Sequence, residues 1–374
     1  MWHCQRKTGH VMISVFLIGL VLFVISWYLV YAKVWKKNLQ CTLWFREEYV
    51  YAGEQAHIIE QIENHKRMPV PVLEIAFRID KGVVFTQMEN AMISDYLYKR
   101  DIFSLLGHQR IKREISIECR HRGYYPVEQL ELRSFSLFYD KKYAGEQSVQ
   151  TALCVYAKRV DVSHILIDCE RLMGTLECAK RLYEDPFAFH AIREYTSTDP
   201  MRTINWKASA KTGEMMVNTY DSTLTQKVMI YLDVEDRGIY RQEYLIEEGI
   251  SVAACLSQRL IGQGVEVGIS VNLLTDRRIE PVAAHSGQLR KIEQLLCQIG
   301  AASQTMAYEN ILEELPADAF PVFITRDGKR NQEKMERFLQ DQYGLWVYLQ
   351  DASDRIEVST GRNLHCVVRE VTAY

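Results

Sequence analysis

The chain has 374 residues, of which 25% are charged and 48% hydrophobic, and its formal net charge at pH 7 is −3. This composition is typical of globular proteins and gives no support for nucleic-acid binding, because nucleic-acid binders usually carry a basic patch or stripe. The 9 cysteines include no Cys-x-x-Cys pair, which argues against a zinc ribbon or a thioredoxin-type site. Their irregular spacing forms no disulfide framework and indicates a reducing compartment.

The first element is an uncharged apolar run from Val11 to Ala32. A bilayer's hydrocarbon core of ~30 Å needs ~20 apolar residues in a helix, so this run predicts a transmembrane anchor within residues 1–38. Trp27 and Tyr28 have the amphipathic rings that favour the headgroup zone. A cleaved signal peptide would have a shorter apolar region and a small-residue cleavage site, and a soluble core helix is rarely apolar on every face.

Basic residues flank this run unevenly, which bears on its orientation. Two precede it and four follow it, namely Arg6 and Lys7, then Lys33, Lys36, Lys37 and Arg46. The more basic flank tends to remain in the cytoplasm. We therefore expect a single-pass membrane protein with a cytoplasmic body, for which the bilayer is one partner.

Residues 39–140 have the pattern of short strands separated by turn signals. The predicted strands are Ala56–Glu63, Val70–Ile79, Ile111–Glu118 and Val127–Phe138. Strands at this spacing predict an antiparallel β-sandwich-like domain. Residues 141–225 lack clean periodicity apart from a strand-like run at Val160–Ile167, and we treat them as a connecting region.

Residues 226–374 alternate between strand and helix patterns. The predicted strands are Lys227–Asp233, Val265–Leu274, Phe320–Thr325, Leu345–Leu349 and His365–Val371, and the predicted helices are Glu243–Ile261, Gly287–Ile299 and Gln332–Leu339. This alternation predicts an α/β domain with a parallel sheet covered on both faces. Ligands of such folds bind at the carboxyl ends of the strands, here near Asp233 and Thr325.

The connecting region contains the densest cluster of charged and aromatic residues. The candidate site residues are Arg193, Glu194, Tyr195, Asp199, Arg202, Trp206 and Lys207. Arginine forks favour carboxylate pairing, so one interpretation is an ion-pair network that fastens this loop to the protein. The other is a partner-binding surface, since Trp and Arg are typical of interfaces.

These residues also carry a resemblance to a known family. The run from Arg193 to Gly213, with Arg193-Glu194-Tyr195, Asp199-Pro200, Ile204-Asn205-Trp206-Lys207 and Ser209, resembles the signature of the bacterial family called domain of unknown function 58. The Arg122-Gly123-Tyr124-Tyr125 segment is similar to a further motif of that family, although Thr198 stands where the family usually has glycine. The resemblance implies a membrane segment, a β-domain and a von Willebrand factor A-like C-terminal domain. It implies no enzymatic activity, and it suggests a MoxR-type ATPase, often encoded nearby, as the protein partner.

A metal site is the feature on which this chain departs furthest from von Willebrand A domains. Those that bind Mg²⁺ have Asp-x-Ser-x-Ser after the first strand, whereas this chain has Asp233-Val234-Glu235-Asp236-Arg237. The hydroxyl ligands are lost, and the arginine would repel a divalent ion. Glu235 could still coordinate with Asp233, and Thr325 and Asp327, which follow a later strand, could add oxygen ligands. We nevertheless expect no metal cofactor.

Two functions follow from these observations. The favoured one is a non-catalytic, membrane-tethered protein-interaction module. The alternative is a metal-dependent hydrolase that uses Asp233, Glu235 and Asp236 at the end of the first sheet strand.

Overall fold

The structure of the chain is a computed structural model. It describes residues 2–86, 91–93, 96–135, 141–181, 189–196, 201, 204–220, 226–235, 242–275, 278–282, 285–300, 303–313, 318–339, 342–353 and 361–372. The chain divides into two compact units, Met1–Lys158 and Arg159–Tyr374.

The first unit begins with helix α1, Trp2–Val34. Its segment Val15–Val34 is long and apolar enough to cross a membrane, and only 6% of that apolar window is buried by the rest of the protein. The side chains between Val15 and Val30 are mostly exposed, as expected of a helix surrounded by lipid. This helix agrees with the predicted single-pass anchor.

The strands of the first unit form two facing sheets. They are β1 (Leu39–Phe45), β2 (Tyr49–Tyr51), β3 (Gln55–Asn64), β4 (Val70–Asp80), β5 (Val83–Phe85), β6 (Ala91–Ile93), β7 (Tyr96–Leu105), β8 (Arg110–Cys119), β9 (Gly123–Phe135) and β10 (Lys142–Tyr156). One sheet has the order β1-β3-β8-β5 and the other β2-β10-β9-β4-β7-β6. Neighbouring strands are antiparallel except for the parallel pair β2 and β10.

The core lies between the two sheets because alternate residues of each strand point inward. Ile58 and Ile62 of β3 are buried in one cluster with Leu73 and Ile75 of β4, which belongs to the other sheet. The prediction of an antiparallel β-sandwich-like region is confirmed. Its four predicted strands correspond to β3, β4, β8 and the described part of β9.

Charged side chains interrupt this apolar core at one place. Glu60 of β3 lies opposite Arg113 of β8, and Lys99 and Asp101 of β7 face them from the other sheet. Arg113 Nη1 is 2.9 Å from Asp101 Oδ1, and Lys99 Nζ is 3.8 Å from the same oxygen. Burial, together with the charge of Asp101, raises the pKa of Glu60 to about 7.

Two features differ from the expected organisation of residues 141–225. The long strand β10 pairs with β9 from Lys142 to Val155, so the first unit continues past residue 140. The strand predicted at Val160–Ile167 is wrong, because helix α2 occupies Ser163–Arg181. The Asp161 carboxylate accepts hydrogen bonds from the backbone N–H and the hydroxyl of Ser163, which satisfies a donor at the start of the helix.

The second unit contains a predominantly parallel sheet. Its strands are β13 (Lys227–Leu232), β14 (Glu266–Val271), β15 (Arg278–Ile279), β16 (Phe320–Thr325), β17 (Gly344–Asp351) and β18 (Leu364–Val371), in the order β15-β14-β13-β16-β17-β18. Only the short β15 pairs antiparallel among these described strands. The five parallel strands correspond to the five strands that the sequence predicts for this region.

Helices accompany this sheet where the sequence predicts them. They are α4 (Glu243–Gly262), α5 (Ser286–Gln298), the short α6 (Tyr308–Leu312) and α7 (Gly328–Leu339). Helix α6 was not predicted, and α7 begins four residues before its predicted start at Gln332. The sheet order reverses at β13, whose neighbours are β14 and β16. This reversal leaves a crevice beyond the carboxyl ends of β13 and β16, the place where open α/β sheets bind ligands.

Candidate functional site

The signature residues form a small substructure of the second unit, which we call the signature hairpin. It consists of strand β11 (Phe189–Glu194), helix α3 (Trp206–Thr212) and strand β12 (Met216–Tyr220). The two strands are antiparallel, with Arg193 opposite Val217. Ile204 and Val217 form a further bridge and are both buried. None of these three elements was predicted from the sequence.

Asn205 fixes the start of α3 and ties it to the neighbouring strand. Its side-chain oxygen accepts a hydrogen bond of 3.0 Å from the backbone N–H of Ala208, as an N-cap residue does. Its Nδ2 donates to Oδ1 of Asn218 on β12 at 2.7 Å. One amide side chain therefore starts the helix and anchors it to the hairpin.

Ser209 and Gly213 complete the helix from its other end. The Ser209 hydroxyl donates to the Asn205 carbonyl at 2.9 Å and accepts from the backbone N–H of Met216 at 2.9 Å. Gly213 has φ of +81°, the left-handed conformation that ends helices and that residues with a Cβ rarely adopt. None of the residues of α3 is buried. Polar signature residues, rather than apolar packing, thus hold this helix.

The remaining signature side chains point toward solvent. Trp206 is 70% exposed, Lys207, Arg193 and Glu194 are exposed, and Tyr195 is half-buried. Arg193 donates from Nη1 to the main-chain oxygen of its neighbour Glu194 at 3.0 Å. The other members of the expected ion-pair network, Asp199 and Arg202, lie outside the described residues.

Three apolar residues that the sequence analysis missed are also exposed in this part of the chain. Met201 is 73% exposed, Met215 50% and Ile192 39%. Large exposed apolar side chains that gather in one segment are characteristic of interaction sites. Their place inside or beside the signature is the signal that would have identified them.

The second candidate site lies at the crevice beyond β13. Asp233, which follows β13, is buried, and both of its carboxylate oxygens accept hydrogen bonds. Asn272 Nδ2 donates to Oδ1 at 2.7 Å, and Asn331 Nδ2 donates to Oδ2 at 3.3 Å. The backbone N–H of Glu235 also donates to Oδ1, at 3.1 Å. The structure therefore places Asp233 at the centre of an amide network that connects β13, β14 and α7.

The other predicted oxygen ligands have different surroundings. Thr325 is fully buried, and its hydroxyl accepts from Nε1 of Trp346 at 3.2 Å. Arg326 donates from Nη2 to the main-chain oxygen of Glu235 at 3.1 Å. Asp327 is half-buried just before α7. Arg326, which was not among the predicted site residues, brings the positive charge of its guanidinium to the main chain of Glu235.

Burial dominates the electrostatics of this crevice. Tyr308 is buried and donates to the Tyr231 carbonyl at 3.0 Å, and burial together with the nearby Asp233 carboxylate raises its pKa well above the ordinary value. Among the described residues, no group of three or more His, Cys, Asp and Glu side chains is arranged to hold a metal ion. Asp236 and Arg237 lie outside the described residues.

The comparison with protein families bears on the signature hairpin and the sheet. Residues 191–322 match the model of the family described as Protein of unknown function DUF58. The match extends from β11 into β16 and includes the signature run. The resemblance to this family is therefore confirmed over that segment, at the level of the family. No curated protein matches the chain.

Several solved structures resemble parts of the chain weakly. The CARDB domain of the PF1109 protein from Pyrococcus furiosus is 14% identical, with a TM-score of 0.20 over 32% of this chain and 96% of that one. The seventh ScaB type I cohesin from Pseudobacteroides cellulosolvens is 9% identical, with a TM-score of 0.21 over 33% of this chain and 96% of that one. Likenesses this low carry no argument about function.

Proposed function

We propose that the chain is a non-catalytic, membrane-tethered protein-interaction module whose contact surface is the signature hairpin. The observation that carries this proposal is the 70% exposure of Trp206 on a helix without buried residues. Tryptophan is enriched among the few residues that dominate binding energy at interfaces. An indole held in water by a capped helix is available to a partner.

The local structure supports a surface rather than a flexible loop. Asn205, Ser209 and Gly213 fix the backbone of α3 by hydrogen bonds and a left-handed cap. A preorganised surface loses less conformational entropy on binding than a flexible loop. The exposed Lys207, next to Trp206 in the chain, adds a positive charge to this surface, which suits a partner with an acidic rim.

The resemblance supplies the rest of the proposal. The C-terminal unit is then a von Willebrand factor A-like platform of a bacterial protein, with its body in the cytoplasm. A MoxR-type ATPase encoded nearby is the first partner to test. The proposal needs neither a cofactor nor nucleic acid.

The hydrolase alternative receives no comparable support from the described residues. Both carboxylate oxygens of Asp233 accept hydrogen bonds from amide side chains. The Arg326 guanidinium lies at the Glu235 carbonyl, where a divalent ion would be repelled.

The test compares two exposed apolar side chains of the second unit. The full-length chain, extracted gently from membranes, is used to capture the MoxR-type ATPase, with Trp206→Ala as the variant and Ile167→Ala as the control, since Ile167 is 62% exposed outside the signature. We expect Trp206→Ala to reduce capture about tenfold or more, the effect of a hot-spot residue, and Ile167→Ala to leave it unchanged. Equal capture by wild type and Trp206→Ala would refute the proposed contact surface.

A further inference from the structure

The end of α1 is built into the β-sandwich rather than joined to it by a flexible linker. Tyr31 and Trp35 are 3% and 6% exposed and belong to the core of the first unit. The Tyr31 hydroxyl is 2.6 Å from the Ser134 hydroxyl of β9. Lys66, which is itself buried, donates from Nζ to the Trp35 carbonyl at 2.8 Å. The orientation of the sandwich relative to the helix is therefore fixed.

The start of β10 runs beside the last turns of this helix. The Tyr143 ring lies 5.8 Å from the Tyr31 ring and 6.3 Å from the Trp35 ring, measured between centroids. Two residues earlier in the chain, Lys141 Nζ lies 4.7 Å from the centroid of the Tyr28 ring. Lys141, directly before β10, thus contacts the helix about two turns before its last residue, Val34.

The length of the helix sets the depth of this contact. The uncharged run begins at Val11, and the exposed part of the helix ends at Val30 because Tyr31 is buried in the sandwich. This span of about 20 residues is the length that crosses a hydrocarbon core. At the helical rise of 1.5 Å per residue, Tyr28 then lies only ~3 Å inside the edge of the hydrocarbon. Lys141, which contacts the Tyr28 ring, lies at the level of the lipid headgroups, and the sandwich begins directly at the membrane surface.

Four exposed lysines surround this junction, and we call them the junction lysines: Lys33, Lys36, Lys141 and Lys142. Lys33 and Lys36 follow the apolar run in sequence. Lys142 begins β10 and Lys141 directly precedes it, so this second pair is brought to the junction only by the fold. Lys36 donates from Nζ to the Glu146 carbonyl at 2.6 Å, which holds the two pairs near each other. Glu146 is the one acidic residue within strand β10, all of which the structure describes.

We propose that the junction lysines form a binding surface for the phosphates of anionic phospholipids, on the leaflet that faces the soluble body. This inference rests on the membrane anchoring in the proposed function. Basic residues within a Debye length of a negatively charged leaflet are attracted to it, and lysine ammonium groups bind phosphate oxygens as point charges. Because the junction is rigid, the lysines meet the headgroups without the loss of entropy that ordering a flexible tail would require.

The test uses the full-length chain in nanodiscs of equimolar phosphatidylcholine and phosphatidylglycerol. Trace amounts of either lipid with a photoreactive group near the phosphate report contact as covalent labelling. The variant is Lys141→Gln with Lys142→Gln. The matched control is Lys81→Gln with Arg120→Gln, which removes two charges at the opposite end of the sandwich. Leu73 of β4 pairs with Ser134, the residue that is hydrogen-bonded to the membrane helix. Asp80, at the end of β4, lies seven residues or ~23 Å beyond Leu73. Lys81 follows Asp80 directly and is therefore far from the helix.

We expect wild type and control to be labelled preferentially by phosphatidylglycerol, and the Lys141/Lys142 variant to lose about fivefold or more of that preference. Equal preference in all three proteins would overturn the proposal, as would labelling that free glycerol phosphate competes away, because the site would then bind a soluble phosphate. Retention of the chain in membranes after alkaline extraction is measured in parallel. If the wild-type chain is lost from the membranes during this extraction, the predicted membrane anchor is wrong. Full retention of the chain without a lipid preference rejects only the proposed junction surface.

Discussion

Tyr31 of the membrane helix donates a hydrogen bond of 2.6 Å to the hydroxyl of Ser134, a residue 103 positions later in the chain. The direction follows from the second bond of Ser134, whose hydroxyl donates to the Val72 carbonyl at 2.9 Å. The helix is therefore linked to β9 and, through Ser134, to β4.

Removing this hydroxyl should weaken the junction without disturbing its packing. We expect Tyr31→Phe to lower the free energy of unfolding of the first unit by ~1 kcal/mol, the usual net value of one hydrogen bond. Chemical unfolding of the full-length chain in detergent micelles measures this. Tyr49→Phe is the control, because Tyr49 is 46% exposed, and a loss of equal size there would mean that the Tyr31 bond has no special role.

The charged group between the sheets should make stability depend on pH. The pKa of Glu60 is raised from 4.5 to about 7, chiefly by burial, and no described residue donates a hydrogen bond to its Oε2. The folded state holds this proton more tightly than the unfolded state. Its stabilising contribution is therefore complete below pH 4.5 and is lost as the pH rises through about 7.

Glu60→Gln removes this titration because glutamine resembles the protonated acid. We expect the variant to be more stable than wild type at pH 8 by roughly 2 kcal/mol, and the difference to shrink toward pH 5. Thermal unfolding across this pH range checks the sign. A wild-type protein that gains stability from pH 5 to pH 8 relative to Glu60→Gln would contradict the assignment.

Substitutions in the signature hairpin should distinguish residues that stabilise α3 from residues that only project from it. We expect Asn205→Ala to lower the stability of the second unit by ~1 kcal/mol, since the N-cap is lost. Trp206→Ala should change it by less than ~0.5 kcal/mol, as an exposed substitution does. Differential scanning calorimetry of the two variants compares them directly. A large loss of stability in Trp206→Ala would mean that the indole packs against the protein.

The amide network around Asp233 should contribute to stability rather than bind metal. Asp233→Ala leaves the side-chain amides of Asn272 and Asn331 without this acceptor, and we expect a loss of about 2 kcal/mol. Glu313→Ala, at an exposed acid, is the control. Isothermal titration with Mg²⁺ extends the test, because saturable binding that Asp233→Ala abolishes would favour the hydrolase.

The orientation of the chain can be tested in intact cells. We expect external trypsin to leave the body uncut and to digest it only after the membrane is permeabilised, because the more basic flank of the helix remains in the cytoplasm. Digestion in intact cells would place the body outside and remove a cytoplasmic ATPase as partner.

Elements with a regular pattern could be predicted from the sequence, and those whose pattern is interrupted could not. Strand β3 and helix α4 lie within one or two residues of their predicted bounds. Strand β7 was missed because its inward positions include Lys99 and Asp101, which hide the apolar alternation. Much of β10 is polar and at least partly exposed, so its first half carries no core signal.

The wrong prediction at Val160–Ile167 has a specific cause. The β-branched residues Val160, Val162 and Ile167 suggest a strand. The buried residues are instead Val162, Ile165, Cys169 and Met173, a helical spacing, while Ile167 is 62% exposed.

The candidate sites were predicted in part. Asp233 and the signature residues have local motifs, but the partners of Asp233 come from 39 and 98 positions away and leave no local trace. The exposure of Trp206 could not be predicted from the sequence either, since tryptophan is usually well buried. Its exposure follows from a seven-residue helix held by caps alone.

The absence of a hinge between α1 and the sandwich, within the described part of the first unit, restricts how the chain can search for its partners. A flexible tether would let this unit sample a hemisphere around its anchor, whereas here the helix and the sandwich turn and tilt together. A partner anchored in the same membrane therefore meets the sandwich at a fixed height above the lipid. For such a membrane-bound partner, encounter with this unit becomes a two-dimensional process in which membrane fluidity sets the rate.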